Sequence, residues 1–166
     1  MKVKVLIVMG SDSDLSVMEK TGKQLDEFNI PYHVTVSSAH RTPERTVKLI
    51  REAEKNGVQV IIAGAGAAAH LAGVIAAHTT LPVIGVPIDS SPLEGIDALY
   101  STVQMPPGIP VATMAVGKAG AKNAAIFAAQ IIGLKDSKIA VDLKDYKKKM
   151  AEEVEKKAKK VESRKQ

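Results

Sequence analysis

Between Asn56 and Ile88 the chain carries no Asp, Glu, Lys or Arg. So long an uncharged stretch suits either a membrane span or elements buried on both faces of an α/β core. Its own punctuation decides between them. Gly64, Gly66, His70, Gly73, Thr79, Thr80 and Pro82 divide it into pieces of strand or helix length. The expectation is therefore a parallel sheet covered by helices, in a soluble cytoplasmic protein with no membrane contact. Met1 to Gly10 offers lysines and a short apolar run, as a signal peptide would, but Ser11-Asp12-Ser13-Asp14 follows where the apolar region should continue. That run reads as a first strand.

At 166 residues and 45% hydrophobic, the chain can bury one ordinary core unaided. It has no Cys, which excludes disulfide scaffolds, thiolate zinc sites, CxxC redox motifs and cysteine nucleophiles. Two Phe, three Tyr and no Trp leave little for base stacking, which argues against single-stranded nucleic-acid binding. The net charge of +5 is a property of the tail alone. Residues 1–134 hold 11 Lys and Arg against 11 Asp and Glu, and residues 135–166 hold 12 against 7. Within that tail Glu152, Glu153 and Glu155 stand four residues before Lys156, Lys157 and Lys159, the favoured helical pairing. This is a solvated helix rather than a bare basic arm for nucleic acid.

The rest of the chain alternates strand and helix signals. Val3 to Met9, Tyr32 to Ser37, Val58 to Ala63, Pro82 to Val86 and Val111 to Val116 read as strands. Helical segments follow them at Leu15 to Phe28, from a Thr42 cap and Pro43 to an Asn56-Gly57 stop, at Ala67 to Ala77, at Leu93 to Val103 and at Ala121 to Ile132. Five such repeats imply a parallel sheet with right-handed crossovers, and ligands then bind outside the carboxyl ends of the strands. Those ends are Gly10 to Asp14, Ser37 to Thr42, Gly64 to His70, Pro87 to Ser91 and Gly117 to Gly120. Beyond residue 134, Ile139, Leu143, Tyr146, Met150, Val154 and Val161 draw a narrow apolar stripe along the charged helix. The division expected is a catalytic α/β domain over 1–134 and a helical extension over 135–166 that packs on a neighbouring subunit, with packing back on its own domain as the alternative.

The unusual polar residues fall at the strand ends. Ser11, Asp12, Ser13 and Asp14 exceed what capping one helix requires and suit ribose hydroxyls or phosphate. Arg41, the only arginine at any strand end, offers a planar fork for phosphate. His40 beside it is the residue type suited to proton transfer near neutral pH. A surface His-Arg pair without a role is the plainer alternative. Gly64-Ala-Gly-Ala-Ala-Ala69 fits the relaxed dinucleotide fingerprint G-x-G-x-x-A, with Asp89 20 residues beyond Ala69, and so supports a nicotinamide-dependent oxidoreductase as a rival. That fingerprint normally sits in the first β-α unit, not the third. His70 is either a second base or a core histidine; His33 and His78 read as structural or exposed. Asp12, Asp14, His40 and His70 have no recognisable metal-ligand spacing, so no metal is expected. Ser13, His40 and Asp14 could form a hydrolase triad, but no G-x-S-x-G elbow is present.

Taken together, Gly10-Ser-Asp-Ser-Asp14, Ser38-Ala-His-Arg-Thr-Pro43, Gly64-Ala-Gly-Ala-Ala-Ala-His-Leu71, Gly85-Val-Pro87, Tyr100-Ser-Thr-Val-Gln-Met-Pro106, Gly108-Ile-Pro-Val-Ala-Thr113 and Gly117-Lys-Ala-Gly-Ala-Lys-Asn-Ala-Ala125 resemble, in order and spacing, the bacterial 5-(carboxyamino)imidazole ribonucleotide mutases of purine biosynthesis. The resemblance spans about residues 3–134. It implies a three-layer, flavodoxin-like α/β sandwich, a homo-octamer, and neither metal nor organic cofactor. It also implies a small ribonucleotide substrate, with His40 as general acid and base. Ser11, Ser13, Asp14, Ser38 and Arg41 would touch the ribose phosphate, and Gly66, Ala67, His70 and Leu71 the imidazole. The nearest rival is direct carboxylation of aminoimidazole ribonucleotide by dissolved carbon dioxide; a non-enzymatic nucleotide-binding module is a third reading.

Overall fold

A computed structural model describes residues 2–163. Its centre is a five-stranded, all-parallel sheet of order β2-β1-β3-β4-β5, with β1 at Val5–Met9, β2 at Tyr32–Val36, β3 at Val60–Gly66, β4 at Val83–Ile88 and β5 at Ala112–Thr113. The helices between and after them are α1 (Leu15–Glu27), α2 (Pro43–Lys55), α3 (Leu71–Ala76), α4 (Ile96–Val103), α5 (Gly117–Gly133) and α6 (Ser137–Glu162). A 3-10 turn, Asp12–Asp14, leads into α1.

The two-residue period of the central strands builds both cores at once. Val5, Ile7 and Met9 of β1, with Val60 and Ile62 of β3, point to the layer that holds α1 and α5. Leu6 and Val8, with Ile61 and Ala63, point to the layer that holds α2 and α3. Strands wet on neither face can be apolar throughout, which accounts for the uncharged stretch. On the first side Ala121, Ala124, Ala125, Ala128 and Ala129 of α5 are all fully buried. Their small side chains let α5 lie close to α1, where the Thr21 hydroxyl donates to the Ala121 carbonyl at 2.8 Å. The result is the flavodoxin-like three-layer sandwich expected.

Several boundaries differ from the sequence reading, each for a local reason. β3 does not stop at Ala63; it continues through Gly66, because Ala65 and Gly66 pair with Pro87 and Ile88 of an equally extended β4. The third helix starts at Leu71 rather than Ala67, since Ala67 takes a left-handed φ of 51° that no helix can contain. Thr42 stands before α2 but does not cap it with its side chain. α4 begins only at Ile96, after a left-handed Gly95, and β5 shrinks to two residues at the sheet edge. α5 begins at Gly117, four residues earlier than expected.

The tail forms the long helix α6, capped by the Asp136 carboxylate accepting from the Ile139 N–H at 3.3 Å. Asp136 also pairs with Lys4 at 2.9 Å; that ammonium, first, and the Ile139 N–H hold its carboxyl below the ordinary range. Ile139, Leu143 and Tyr146 join the α1/α5 core of their own chain, and Tyr146 meets Phe28 edge to face at 5.4 Å. The first half of the apolar stripe therefore docks in cis, whereas Met150, Val154 and Val161 remain exposed. Residues 164–166 of the expected helix lie outside the described residues.

Candidate functional site

Four strand ends converge on one cleft of about 330 Å³, lined by Gly10, Ser11, Ser13, Asp14, Ser38, Ala39, His40, Arg41, Ala65, Gly66, Ala67, Ala68, Leu71 and Ser90. It opens where the strand order reverses, with β1 between β2 and β3, the place where parallel α/β sheets bind ligands. The volume falls in the range of small-molecule sites. Nine of the ten residues singled out by sequence line it directly, and the tenth, His70, is hydrogen-bonded to His40 across the top. The end of β5, Gly117 to Gly120, contributes no lining residue.

One wall is the 3-10 turn before α1. The Ser11 hydroxyl accepts from the Ser13 N–H at 3.4 Å, while the Asp14 carboxylate accepts from the Ser11 N–H at 3.0 Å. This reciprocal box fixes Asp14 on the cleft floor at 4% exposure. Its carboxyl is pushed above the ordinary aspartate range, chiefly by burial and further by the charge of Asp12, against the lowering effect of the Ser11 N–H. The buried carboxylate is thus short of partners on its cleft side, where a ligand hydroxyl could donate to it.

The opposite wall is the turn that carries His40 and Arg41. Thr42, unused as a cap, turns its hydroxyl back on the turn: it accepts from the Ser38 N–H at 3.0 Å and lies 3.0 Å from the Ser38 carbonyl. The Ser38 hydroxyl accepts from the Arg41 N–H at 3.2 Å. Below, buried Ser37 and Thr46 share a 2.8 Å bond that ties the turn to α2. Arg41 spends only its backbone in this network; its guanidinium has no hydrogen bond or ion pair among the described residues. Arg45, in contrast, is committed to the Val36 carbonyl and the Thr35 hydroxyl.

His40 Nε2 lies 2.8 Å from His70 Nδ1, with the rings nearly perpendicular at 87°. One nitrogen donates and the other accepts, so the pair holds a proton between its rings. Nδ1 is then the His40 nitrogen left for a ligand.

The same geometry dismantles two rival readings. Gly64 and Gly66 lie inside β3 and no helix opens there, so the dinucleotide fingerprint lacks its strand-turn-helix context. Asp89, its supposed ribose acid, sits instead against Gly117, where a β-carbon would be 3.2 Å from its Oδ1. His40 is bonded to His70 rather than to Ser13 or Asp14, so no Ser-His-Asp relay forms. Among the described residues no three histidines or carboxylates are grouped as metal ligands. Ser90 is the polar lining residue absent from the sequence-derived site, although the strand end Pro87 to Ser91 contained it.

Residues 4–153 match the AIR carboxylase family. The chain is 55% identical to an N5-carboxyaminoimidazole ribonucleotide mutase of Pyrococcus horikoshii, over 97% of this chain and 90% of that protein. It is 54% identical to the mutase of the same name from Thermotoga maritima, over 96% and 92% of the two chains. The corresponding Escherichia coli mutase is 54% identical over 91% and 89%. A crystal structure of Treponema denticola PurE superposes with a TM-score of 0.87 at 34% identity, covering 95% of this chain and 97% of that one.

Proposed function

The chain belongs to the AIR carboxylase family, and from that premise we infer that it is the mutase converting 5-carboxyaminoimidazole ribonucleotide to 4-carboxy-5-aminoimidazole ribonucleotide in purine biosynthesis. The observation that carries the assignment of the chemistry to this cleft is the His40–His70 pair, set between a free arginine fork and a turn of small residues.

Each step follows from the residues present. Arg41, with the Ser38 hydroxyl, Ser11 and Ser13, grips the phosphate end, and the Asp14 carboxylate accepts from ribose hydroxyls. The imidazole lies against Gly66, Ala67, His70 and Leu71. Protonated His40 gives a proton to the carbamate nitrogen; the nitrogen–carboxyl bond breaks, its electron pair stays on nitrogen, and carbon dioxide is released. The electron-rich ring carbon attacks that carbon dioxide and forms the new carbon–carbon bond. His40, now neutral, takes the proton from the same ring carbon, which restores both the aromatic ring and the protonated histidine. No net proton is consumed. One group serves as acid and then as base, and holding carbon dioxide beside the bound ring raises its effective concentration.

The working form is a cytoplasmic homo-oligomer, an octamer by family resemblance. Supporting assembly, Ile96, Tyr100 and Val103 share one exposed face of α4, with Leu93 just before it; contiguous exposed apolar side chains of this size mark contact surfaces. The distal half of α6, with Val154 and Val161, is a second surface for a neighbouring copy. Substituting Ile96→Asp with Tyr100→Glu should reduce the assembly seen by light scattering; an unchanged particle would place the contact elsewhere.

Conversion of the carbamate ribonucleotide, with and without added bicarbonate, tests the function. Equal rates support the mutase. Activity only on aminoimidazole ribonucleotide plus bicarbonate would assign direct carboxylation, and binding without conversion would leave a nucleotide-binding module.

A further inference from the structure

Resting on the function above, we propose that Ser90 holds the migrating carboxyl group from the β4 side of the cleft, while Arg41 follows β2 on the other side of β1 and β3. The register between β3 and β4 sets Gly66 beside Ile88, and the chain leaving β4 brings the Ser90 hydroxyl directly over Gly66. A β-carbon at Gly66 would stand 1.8 Å from Ser90 Oγ and 3.1 Å from the Ile88 carbonyl oxygen. Glycine at 66 therefore makes room for this hydroxyl.

The two adjacent serines divide their work. Ser91 donates to the Asp97 carboxylate at 2.9 Å and accepts from the Leu93 N–H at 3.2 Å, which pins the loop. The Ser90 side chain lines the cleft, is exposed there and takes no hydrogen-bond partner among the described residues. With phosphate at Arg41 and ribose at Asp14, the base reaches the Gly66–Ala68 turn. The side chains of that turn are methyl groups or hydrogen. Beside that turn, on the β4 side of the cleft, the side-chain donor is Ser90, and a carboxylate is the acceptor the substrate brings there.

The hydroxyl can donate to a carboxyl oxygen while the group is on nitrogen and again once it is on carbon. It would thus shorten the excursion of free carbon dioxide, whose loss leaves aminoimidazole ribonucleotide as a dead-end product. A residue that only packs the loop has no such effect on the ratio of products.

The test compares wild type, Ser90→Ala and Ser90→Thr for kcat, KM and the fraction of turnovers that end as aminoimidazole ribonucleotide and carbon dioxide. Removing the hydroxyl should lower kcat/KM about 10-fold or more, as expected for a lost hydrogen bond to a charged group. KM should rise, because the bond is already made to the bound carbamate, the leaked fraction should rise with it, and Ser90→Thr should restore both. Wild-type kcat/KM and leakage in Ser90→Ala would overturn the proposal. So would a fall in kcat/KM with unchanged leakage, which would make Ser90 a loop-packing residue. A wild-type chain without mutase activity would instead remove the function on which the proposal rests.

Discussion

Replacing Ile139 by Ala isolates the docking of α6 on its own domain. Ile139 is 5% exposed and sits in the α1/α5 core, with Leu143 and Tyr146 packed on the same cluster. Truncating a buried Ile to Ala costs about 2–5 kcal/mol, the spread reflecting how far the site can collapse. Two features limit the loss here. The N–H at 139 still donates to Asp136 Oδ1, so the cap survives, and Ala gains a few tenths of a kcal/mol in helix propensity. A net cost of about 2–4 kcal/mol remains, which for a domain of this size lowers Tm by roughly 5–15 °C. Thermal melts by circular dichroism at several protein concentrations read it. A contact within one chain gives the same shift at every concentration, whereas a contact between copies makes the shift concentration-dependent. Val141→Ala, on the same helix but 54% exposed, is the control and should move stability by no more than about 0.5 kcal/mol. Because α6 begins beside Lys4, before β1, and the cleft lies beyond the opposite ends of the strands, kcat and KM below the melt should stay at wild-type values. A shift under about 2 °C for Ile139→Ala would refute the cis docking.

The cleft yields three further expectations. His40→Asn should keep the fold and substrate affinity but lower turnover by about 10²-fold to 10⁴-fold, the usual loss of an acid-base group; calorimetry with steady-state kinetics checks both, and more than about a tenth of wild-type turnover would move the role to His70. Arg41→Lys conserves charge but not the planar fork, so the substrate Kd should rise about 10-fold or more; equal affinities by calorimetry would show that Arg41 does not hold the phosphate. Asp14→Asn should weaken substrate binding yet raise Tm at pH 7. The raised carboxyl means that the folded state holds this proton more tightly than the unfolded chain. Ionised Asp14 therefore costs stability above its raised pKa, and that cost vanishes as pH falls toward the unfolded value of about 3.9. The Tm gap should close as pH falls, and a gap that is constant or widens on acidification would contradict it.

What the sequence could and could not disclose follows from the range of the interactions involved. The five β-α units were legible because apolar runs, caps and Asn56-Gly57 act within a few residues. The ends of β3 and β4 were not. Gly64-Ala65-Gly66 reads as a loop until Pro87 and Ile88, more than twenty residues away, supply the hydrogen bonds that extend it. The cleft was legible as a set of strand ends, since topology alone brings those together. The bond between His40 and His70, thirty residues apart, and the place of Ser90 over Gly66 depend on register, which no local pattern carries. The stripe on α6 was plain, but its periodicity cannot say which surface receives it, and Ile139, Leu143 and Tyr146 turned out to pack on their own chain.

In the proposed reaction the carboxyl group moves within one bound molecule under the control of His40. The most direct measurement follows a carbamate ribonucleotide labelled with ¹³C in its carboxyl group, converted by the wild-type protein in excess unlabelled bicarbonate and read by ¹³C NMR. Transfer within the site gives a 4-carboxy product that retains nearly all of the label, at a rate independent of bicarbonate. A product carrying mainly unlabelled carboxyl, formed at a rate that rises with bicarbonate, would contradict it.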